Sequence, residues 1–346
     1  MAAATDIVDM PDIDALEAVL AGEIAGFGRI SEMRKFNTGQ SNPTYLIVTA
    51  DRRFVLRAKP PGQLLKSAHQ VDREFRVMRA LGGTAVPVPR VHYLSPEDSV
   101  IGRMFFVMEH LDGRILWDPA LLELSAQERQ AIYDAMVEAL AALHDVDIDA
   151  AGLSDFGRPG NYFERQLKRW SEQYRASVID PITNMDALID WLSENLPKDD
   201  GQVSLVHGDF RMDNMIFARD SATILGVLDW ELSTLGHPYA DLSYQCMQLR
   251  LPHDSTFKGL GGLDRVALGI PSEEDYVATY CRLRGIDRID NWRFYLAFAF
   301  FRLGAILQGV LRRAVDGNAS NPERAREMGR AIPLIASEAI DVIRNG

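Results

Sequence analysis

The chain has 346 residues, of which 47% are hydrophobic and 25% are charged, an ordinary composition for a globular protein long enough to form two lobes. Its formal charge of -12 comes from residues 111–346, with 24 Lys/Arg against 36 Asp/Glu, because residues 1–110 carry 13 of each. An acidic surface argues against a nucleic-acid partner.

Other features exclude further classes. Cys246 and Cys281 show no metal-ligand spacing and predict buried thiols rather than a disulfide framework. The N-terminus has neither the basic nor the apolar region of a signal peptide, so we expect a cytoplasmic protein. The apolar run Phe294 to Leu311 is long enough for a membrane span, but Arg302 and Gln308 interrupt it. We predict a buried core helix there and no membrane partner.

The first third of the chain predicts a small mixed lobe. A helix is indicated by apolar residues at helical spacing, and strands by short β-rich runs between turn residues. The predicted elements are a helix over 13–24, strands over 30–36, 44–49 and 53–58, a helix over 66–81, and strands over 91–94 and 104–109.

The rest of the chain predicts a mostly helical lobe. Ser125 and Glu128 form a capping box that begins a helix ending at His144. Further helices are predicted near 162–176, 185–196, 239–249, 273–283, 292–314 and 323–343, with an irregular insertion over 251–271. The expected fold class is therefore α+β, with lobes over residues 1–110 and 111–346.

Two short acidic motifs carry the chemistry. The first, H-G-D-F-R-M-D-N, runs from His207 to Asn214, and the second, L-D-W-E, runs from Leu228 to Glu231. Each follows a short apolar run that predicts a strand. Asp209, Asn214 and Asp229 form an oxygen-rich set suited to Mg²⁺ and to activating a hydroxyl group.

The spacing of these motifs is specific. Asp209 precedes Asn214 by five residues, as in the kinase loop H-R-D-x-x-x-x-N. Asp229 follows Asn214 by fifteen residues, enough for two short strands and a turn, and matches the Asp of D-F-G. We predict that Asp209 accepts or orients the proton of an acceptor hydroxyl, and that Asn214 and Asp229 bind Mg²⁺. Arg211 is a candidate contact of the γ-phosphate, the alternative being a salt bridge to Asp213. Glu231 either contacts a second Mg²⁺ or caps the next helix.

The chain resembles the aminoglycoside phosphotransferase and choline kinase superfamily. It is most similar to the branch whose kinase-like domains also occur fused to acyl-CoA dehydrogenases. The resemblance rests on both acidic motifs and on three N-terminal segments, F-N-T-G-Q-S-N-P-T-Y, F-V-L-R-A-K-P-P-G and V-D-R-E-F-R-V-M-R-A-L. It implies a two-lobed protein-kinase-like fold and ATP- and Mg²⁺-dependent phosphorylation of a small-molecule hydroxyl, with GTP left open as the donor.

The resemblance also suggests roles for N-terminal residues. The loop Gly39, Gln40, Ser41 and Asn42 lies where a protein kinase has its glycine-rich flap, so its amides are candidate phosphate ligands. Arg57 and Lys59 share a strand face, and alignment with V-A-I-K favours Arg57 as the phosphate contact, with Lys59 as the rival. Glu74 is the expected partner of that basic side chain.

The strand ending at Glu109, His110 and Leu111 predicts a hinge whose backbone contacts adenine. Three readings of the acceptor and activity stay open. The dehydrogenase-linked branch suggests a hydroxyacyl-CoA or hydroxy acid, and the acidic C-terminal part suggests an aminoglycoside or an amino alcohol such as choline. A non-catalytic nucleotide-binding protein with a kinase-like fold is the third. The oligomeric state is not predicted.

Overall fold

The computed structural model describes residues 11–36, 42–61, 70–318 and 321–345. These residues form two compact units. Unit 1 consists of residues up to Arg114 together with Met215–Arg219 and Ile224–Ser233, and unit 2 consists of Ile115–Asn214, Asp220–Thr223 and Thr234 onward. The sequence analysis divides the chain once, after residue 110, whereas unit 1 also contains Met215–Arg219 and Ile224–Ser233 from later in the chain. The assignment of the lobes to nucleotide and acceptor binding stays a prediction.

Unit 1 is built on a five-stranded antiparallel sheet. Its strand order is β1-β2-β3-β5-β4. The strands are β1 (Glu32–Lys35), β2 (Thr44–Val48), β3 (Arg53–Ala58), β4 (Val91–Leu94) and β5 (Phe105–Glu109), and the helices are α1 (Ile13–Glu23) and α2 (Val71–Leu81). The β-branched and aromatic residues of β2, β3 and β5 favour the central strands of such a sheet.

The core of unit 1 lies where α1 covers the sheet. Leu16 and Leu20, four residues apart on α1, are fully buried and join a cluster with Phe54, Leu56 and Val107. The side of β3 that bears Leu56 therefore packs against α1 in the core of unit 1. Arg57, the next residue, points to the opposite side of the sheet because strand side chains alternate.

A hairpin carries the second acidic motif. Strands β7 (Met215–Phe217) and β8 (Ile224–Val227) pair antiparallel, and a 3-10 turn follows at Trp230–Leu232. The predicted pair of short strands between Asn214 and Asp229 is thus confirmed. Arg114 fixes the hairpin to the end of the N-terminal segment, since its backbone exchanges two hydrogen bonds with Phe217 at 2.8 and 2.9 Å.

Unit 2 is mostly helical, as predicted. Strands β6 (Ser204–Val206) and β9 (Thr234–Gly236) form its one described sheet, of two antiparallel strands. Its helices are α3 (Ala126–His144), α4 (Tyr162–Ser177), α5 (Thr183–Glu194), α6 (Tyr239–Arg250), α7 (Arg265–Leu268), α8 (Glu273–Arg284), α9 (Trp292–Val315), α10 (Pro322–Gly329) and α11 (Ile332–Asn345).

Helix α9 is the centre of unit 2. It packs against α4, α5, α6, α10 and α11. By length and composition it is the one described helix that could cross a membrane, but 78% of its most apolar window is buried within the protein. The apolar run found in the sequence is therefore used as a core helix.

Two details test the helix predictions. The Ser125–Glu128 capping box is present in both directions at the start of α3. The single predicted helix over 323–343 is wrong, because the chain forms two helices, α10 and α11, separated at Arg330 and Ala331. Pro333 explains the break, since its ring removes an amide donor and clashes with the carbonyl four residues earlier in a continuous helix.

Candidate functional site

The loop that follows β6 is held from below by a buried aspartate. The carboxylate of Asp241, fully buried on α6, accepts the amide N–H of His207 at 2.6 Å and that of Gly208 at 2.8 Å. Burial by itself raises the pKa of this carboxyl, but the hydrogen bond and charge of His144 and the His207 amide outweigh burial and lower it. Asp241 therefore fixes the loop backbone.

The loop also needs a glycine and a structural histidine. Gly208 has φ of +85°, a backbone conformation that a side chain would strain. Its carbonyl accepts a hydrogen bond from the buried Arg302 of α9 at 2.8 Å. The buried ring of His207 accepts the amide N–H of Asp209 at 3.2 Å through Nδ1. These contacts fix the backbone from which Asp209 projects.

The carboxylate of Asp209 is oriented by side chains on both oxygens. Oδ1 accepts the hydroxyl of Tyr244 at 2.7 Å, and Oδ2 accepts the amide of Asn214 at 3.0 Å. The same Asn214 nitrogen donates to the Asp209 carbonyl at 2.9 Å, so the amide oxygen is the Asn214 atom left for a metal ion. About a quarter of the Asp209 side chain, 24%, stays exposed, which leaves the carboxylate accessible.

Arg211 makes the salt bridge that was the alternative to a phosphate role. Its Nη2 lies 2.5 Å from Asp213 Oδ2, and its Nε lies 3.6 Å from Asp209 Oδ1. The Arg211 side chain is 31% exposed. Contact with a substrate anion through its exposed edge stays a prediction.

A cavity of about 940 Å³ within unit 2 begins beside these residues. Arg211, Asp213 and Tyr244 form part of its wall, together with Gln245 and Gln248 from the same face of α6. Its charged lining is balanced, with four cations and three carboxylates: Arg211, Lys258, Arg324 and Arg330 against Asp213, Glu323 and Glu327. The apolar lining includes Leu116, Trp117, Met136, Leu249, Phe257, Leu303 and Met328.

Two lining residues bear on ligand chemistry. Trp117 presents 61% of its surface, an unusual exposure for so large an apolar side chain. Gln245 is buried, and its carbonyl oxygen accepts the hydroxyl of Tyr276 at 2.8 Å. Its amide nitrogen is buried without a hydrogen-bond partner among the described residues. The wall therefore holds a donor that a ligand oxygen would satisfy.

Unit 1 contains a second cluster, centred on Arg57. Its Nε lies 2.8 Å from Glu74 of α2, and its Nη2 lies 2.6 Å from Asp229 after β8. Of the two basic side chains left open by the sequence, Arg57 is the one that contacts Glu74. Lys59 instead pairs with the exposed Glu97 at 2.5 Å. The role of Arg57 as a phosphate contact stays a prediction.

The cluster is buried and charged. Burial lowers the pKa of Arg57 by itself, but Glu74, Asp229 and Glu231 outweigh it and raise the pKa. Burial raises the pKa of Glu74 to about 7, against the opposing effect of Arg57. Asp229 adopts φ of +64°, rare for a residue other than glycine and often found at functional positions.

The donor set of unit 1 fits a hard cation such as Mg²⁺. Carboxylate oxygens of Glu74, Asp229 and Glu231 lie within 4.8 Å of one another. Both oxygens of Glu74 are already used, one by Arg57 and the other by the Asn42 amide at 2.9 Å. We therefore favour Asp229 and Glu231 as the ligands that unit 1 offers, and read Glu74 as the residue that orients Arg57.

The remaining nucleotide-binding residues stay predictions. Gly39, Gln40 and Ser41 lie outside the described residues. Asn42 is buried and packs on Glu74. The amides of Glu109 and His110 already donate to the carbonyls of Arg90 and Arg53. An adenine edge would therefore have to use the Leu111 amide or hinge carbonyls.

Sequence reasoning missed Tyr244 and Arg302. The signal for Tyr244 was its position three residues after Asp241 on one helix, because residues at this spacing share a face. Arg302 was noted only as an interruption in an apolar helix. A charge inside a buried helix usually has a specific partner, here the Gly208 carbonyl.

Comparison with known proteins defines the class. Residues 32–286 match the model of the phosphotransferase enzyme family, so the chain belongs to that family. A crystal structure from Ralstonia eutropha, described as a candidate aminoglycoside phosphotransferase, is 45% identical, with 96% of this chain and 98% of that chain covered and a TM-score of 0.88. Both acidic motifs lie inside the matched region. The predicted family and two-lobed α+β kinase-like fold are therefore confirmed.

The curated relatives are longer proteins. Acyl-CoA dehydrogenase family member 10 of Mus musculus is 47% identical over 330 residues, covering 95% of this chain and 31% of that protein. Acyl-CoA dehydrogenase family member 11 of Homo sapiens is 42% identical over 317 residues, covering 90% of this chain and 40% of that protein. The chain thus spans a third to two fifths of these two relatives. The resemblance to the dehydrogenase-linked branch is confirmed.

More distant structures share only the fold. An aminoglycoside phosphotransferase in complex with AMP-PNP and hygromycin B has a TM-score of 0.62 at 16% identity, covering 96% of this chain and 99% of that chain. Choline kinase from Cryptosporidium parvum has a TM-score of 0.62 at 15% identity, covering 95% and 97%. At such low identities the similarity shows the fold and does not identify the phosphate acceptor.

Proposed function

We propose that this protein transfers the γ-phosphoryl group of ATP to a hydroxyl group of a small molecule, with Mg²⁺ as the metal. The observation that carries the proposal is the state of Asp209. Its carboxylate is held by donors on both oxygens, stays partly exposed, and lies beside a cavity large enough for a metabolite. A binding protein without catalysis would have no use for a carboxylate so arranged.

Each residue has a defined part in the transfer. Asp209 accepts or orients the proton of the acceptor hydroxyl as the acceptor oxygen bonds to phosphorus and the bond to the ADP oxygen breaks. Arg57, fixed by Glu74, binds phosphate oxygens of the nucleotide. Asn214, Asp229 and Glu231 are the residues that would hold the metal, which would neutralise phosphate charge. Most of these roles are electrostatic, because phosphoryl transfer depends mainly on positioning and charge.

For the acceptor we propose a hydroxyacyl thioester or a related hydroxy acid. A polycationic aminoglycoside would need a clear excess of carboxylates in the cavity, and the lining instead has four cations and three carboxylates. The apolar side chains suit an acyl chain, and the buried Gln245 amide offers a donor to an acyl oxygen. The relation to acyl-CoA dehydrogenase family members supports the same class. We also propose a cytoplasmic location, which fits a metabolic kinase of this kind.

A panel of acceptors tests the proposal. The purified protein is incubated with Mg-ATP and hydroxyacyl thioesters, free hydroxy acids, aminoglycosides or amino alcohols, and products are measured by mass spectrometry. We expect a mass increase of one phosphate on a hydroxyacyl compound, with matching ADP. The matched control is the same acyl thioester without its hydroxyl, which should give no product. If product forms only from an aminoglycoside or an amino alcohol, the proposed acceptor class is refuted. If no acceptor in the panel supports ATP turnover, the kinase assignment is refuted.

A further inference from the structure

Tyr244 is the residue shared by the cavity and the catalytic carboxylate. Its hydroxyl donates to Asp209 Oδ1 at 2.7 Å, and its side chain forms part of the cavity wall. Neither motif contains it, since it lies on α6 well beyond both. Its position means that an acceptor reaching Asp209 through the cavity meets Tyr244 on the way.

The tyrosine is held so that it can act only as a donor to Asp209. Burial raises its pKa, so the hydroxyl keeps its proton. The guanidinium of Arg302 lies 5.5 Å from the centre of its ring and also donates to the Gly208 carbonyl. Arg302 therefore ties the ring of Tyr244 and the backbone beside Asp209 to one rigid helix.

We propose that Tyr244 is a positioning residue that aims Asp209 Oδ1 at the acceptor hydroxyl. Asn214 fixes the other oxygen, so the two donors together set the rotation of the carboxylate about its last bond. An oxygen has two lone pairs, and the one that Tyr244 leaves on Oδ1 is available to the acceptor hydroxyl. During transfer the acceptor proton passes to Asp209, and Tyr244 neither gains nor loses a proton.

This inference rests on the proposed function, and its test separates the two. The first measurement compares Tyr244→Phe with wild type on the acceptor found in the panel. We expect kcat to fall about 10- to 100-fold, because misplacement of a reacting group by a fraction of an ångström has effects of this order. The KM for ATP should stay within about twofold. Tyr133→Phe is the matched control, because Tyr133 is also buried and its hydroxyl donates to a backbone carbonyl, that of Pro119, at 2.7 Å.

A double-mutant cycle decides whether Tyr244 acts through Asp209. Tyr244→Phe should cost little further activity in an Asp209→Asn background, since the carboxylate it positions is already gone. A general loss of folding would instead reduce activity by the same factor in both backgrounds, and that additive result would overturn the proposal. Equal kcat values for Tyr244→Phe and Tyr133→Phe would also overturn it, with the kinase assignment intact. Absence of turnover in the wild-type protein would refute both the role of Tyr244 and the proposed kinase function.

Discussion

At the scale of single residues, burial and donor type separate two aspartates that look alike in sequence. Asp241 is fully buried and accepts two backbone amides, whereas Asp209 is 24% exposed and accepts side-chain donors. The first can only support the loop, and the second can reach a substrate. The sequence singled out Asp209 through its motif, whereas Asp241 lies on α6, outside both motifs.

The same substitution at these two residues should affect different properties, turnover at Asp209 and stability at Asp241. Asp209→Asn should lower turnover by about 10²- to 10⁴-fold with little change in melting temperature, because it removes the proton acceptor and keeps the shape. Asp241→Asn should lower the unfolding free energy by about 1–3 kcal/mol, because an amide NH₂ group would then face a backbone N–H that needs an acceptor. Turnover assays and thermal melts measure both. Near-normal turnover in Asp209→Asn would refute the catalytic assignment.

Glu74 gives a prediction about pH. Burial raises its pKa from 4.5 to about 7 in the folded state, so between these values the folded protein binds more protons than the unfolded chain. The contribution of Glu74 to stability should therefore decrease as the pH rises from 4.5 to 7, by up to about 3 kcal/mol, and change little above that.

Denaturant melts of wild type and Glu74→Gln across this pH range, without nucleotide or metal, measure that slope. The stability difference, wild type minus variant, should fall with rising pH. Glu97→Gln is the control, because Glu97 is the exposed partner of Lys59 and should give a nearly constant difference. A difference that rises with pH would show that attraction to Arg57 outweighs burial.

At the scale of elements, the hairpin β7–β8 depends on a glycine at its point of attachment in unit 1. A Cβ atom on Gly113 would lie 2.3 Å from the Phe217 carbonyl oxygen and 2.4 Å from the Ile216 side chain. Gly113→Ala should therefore displace the hairpin and cost about 1–3 kcal/mol in unfolding free energy. Gly83→Ala is the matched control, because nothing lies within 4 Å of its added carbon. Equal melting temperatures for the two variants would contradict the contact.

Elements with strong local signals were predictable and those set by tertiary contacts were not. The bounds of β3 and β4 agree with the sequence, because β-rich runs end at turn residues on both sides. The apolar pattern over 323–343 predicts one helix, and the backbone restriction at Pro333 divides it into α10 and α11. The loop from His207 to Asn214 is marked by its spacing, whereas the Tyr244 and Arg302 contacts join residues 35 and 94 positions apart and leave no local pattern.

At the scale of the whole molecule, ligand binding should increase the free energy of unfolding of the protein. A ligand that binds only the folded protein adds about 2.7 kcal/mol at one hundred times its dissociation constant, so Mg-ATP should raise the melting temperature of wild type. Asp229→Asn should keep the shift produced by ATP with EDTA and lose the extra shift produced by Mg²⁺. Asparagine is chosen because it tolerates the backbone φ of +64° at this position, whereas alanine would add strain.

The control for this measurement is Asp190→Asn, an exposed aspartate on α5 that should leave both shifts unchanged. Because the substitution changes one charge in each case, the two variants also match in their effect on the net charge of -12. A full magnesium-dependent shift in Asp229→Asn would exclude Asp229 as the main metal ligand. It would then point to Asn214 and Glu231 as sufficient ligands, since these are the other two residues proposed to bind the metal. Loss of the ATP shift with EDTA as well would indicate that Asp229 acts by holding Arg57, its partner at 2.6 Å, in place for the phosphates.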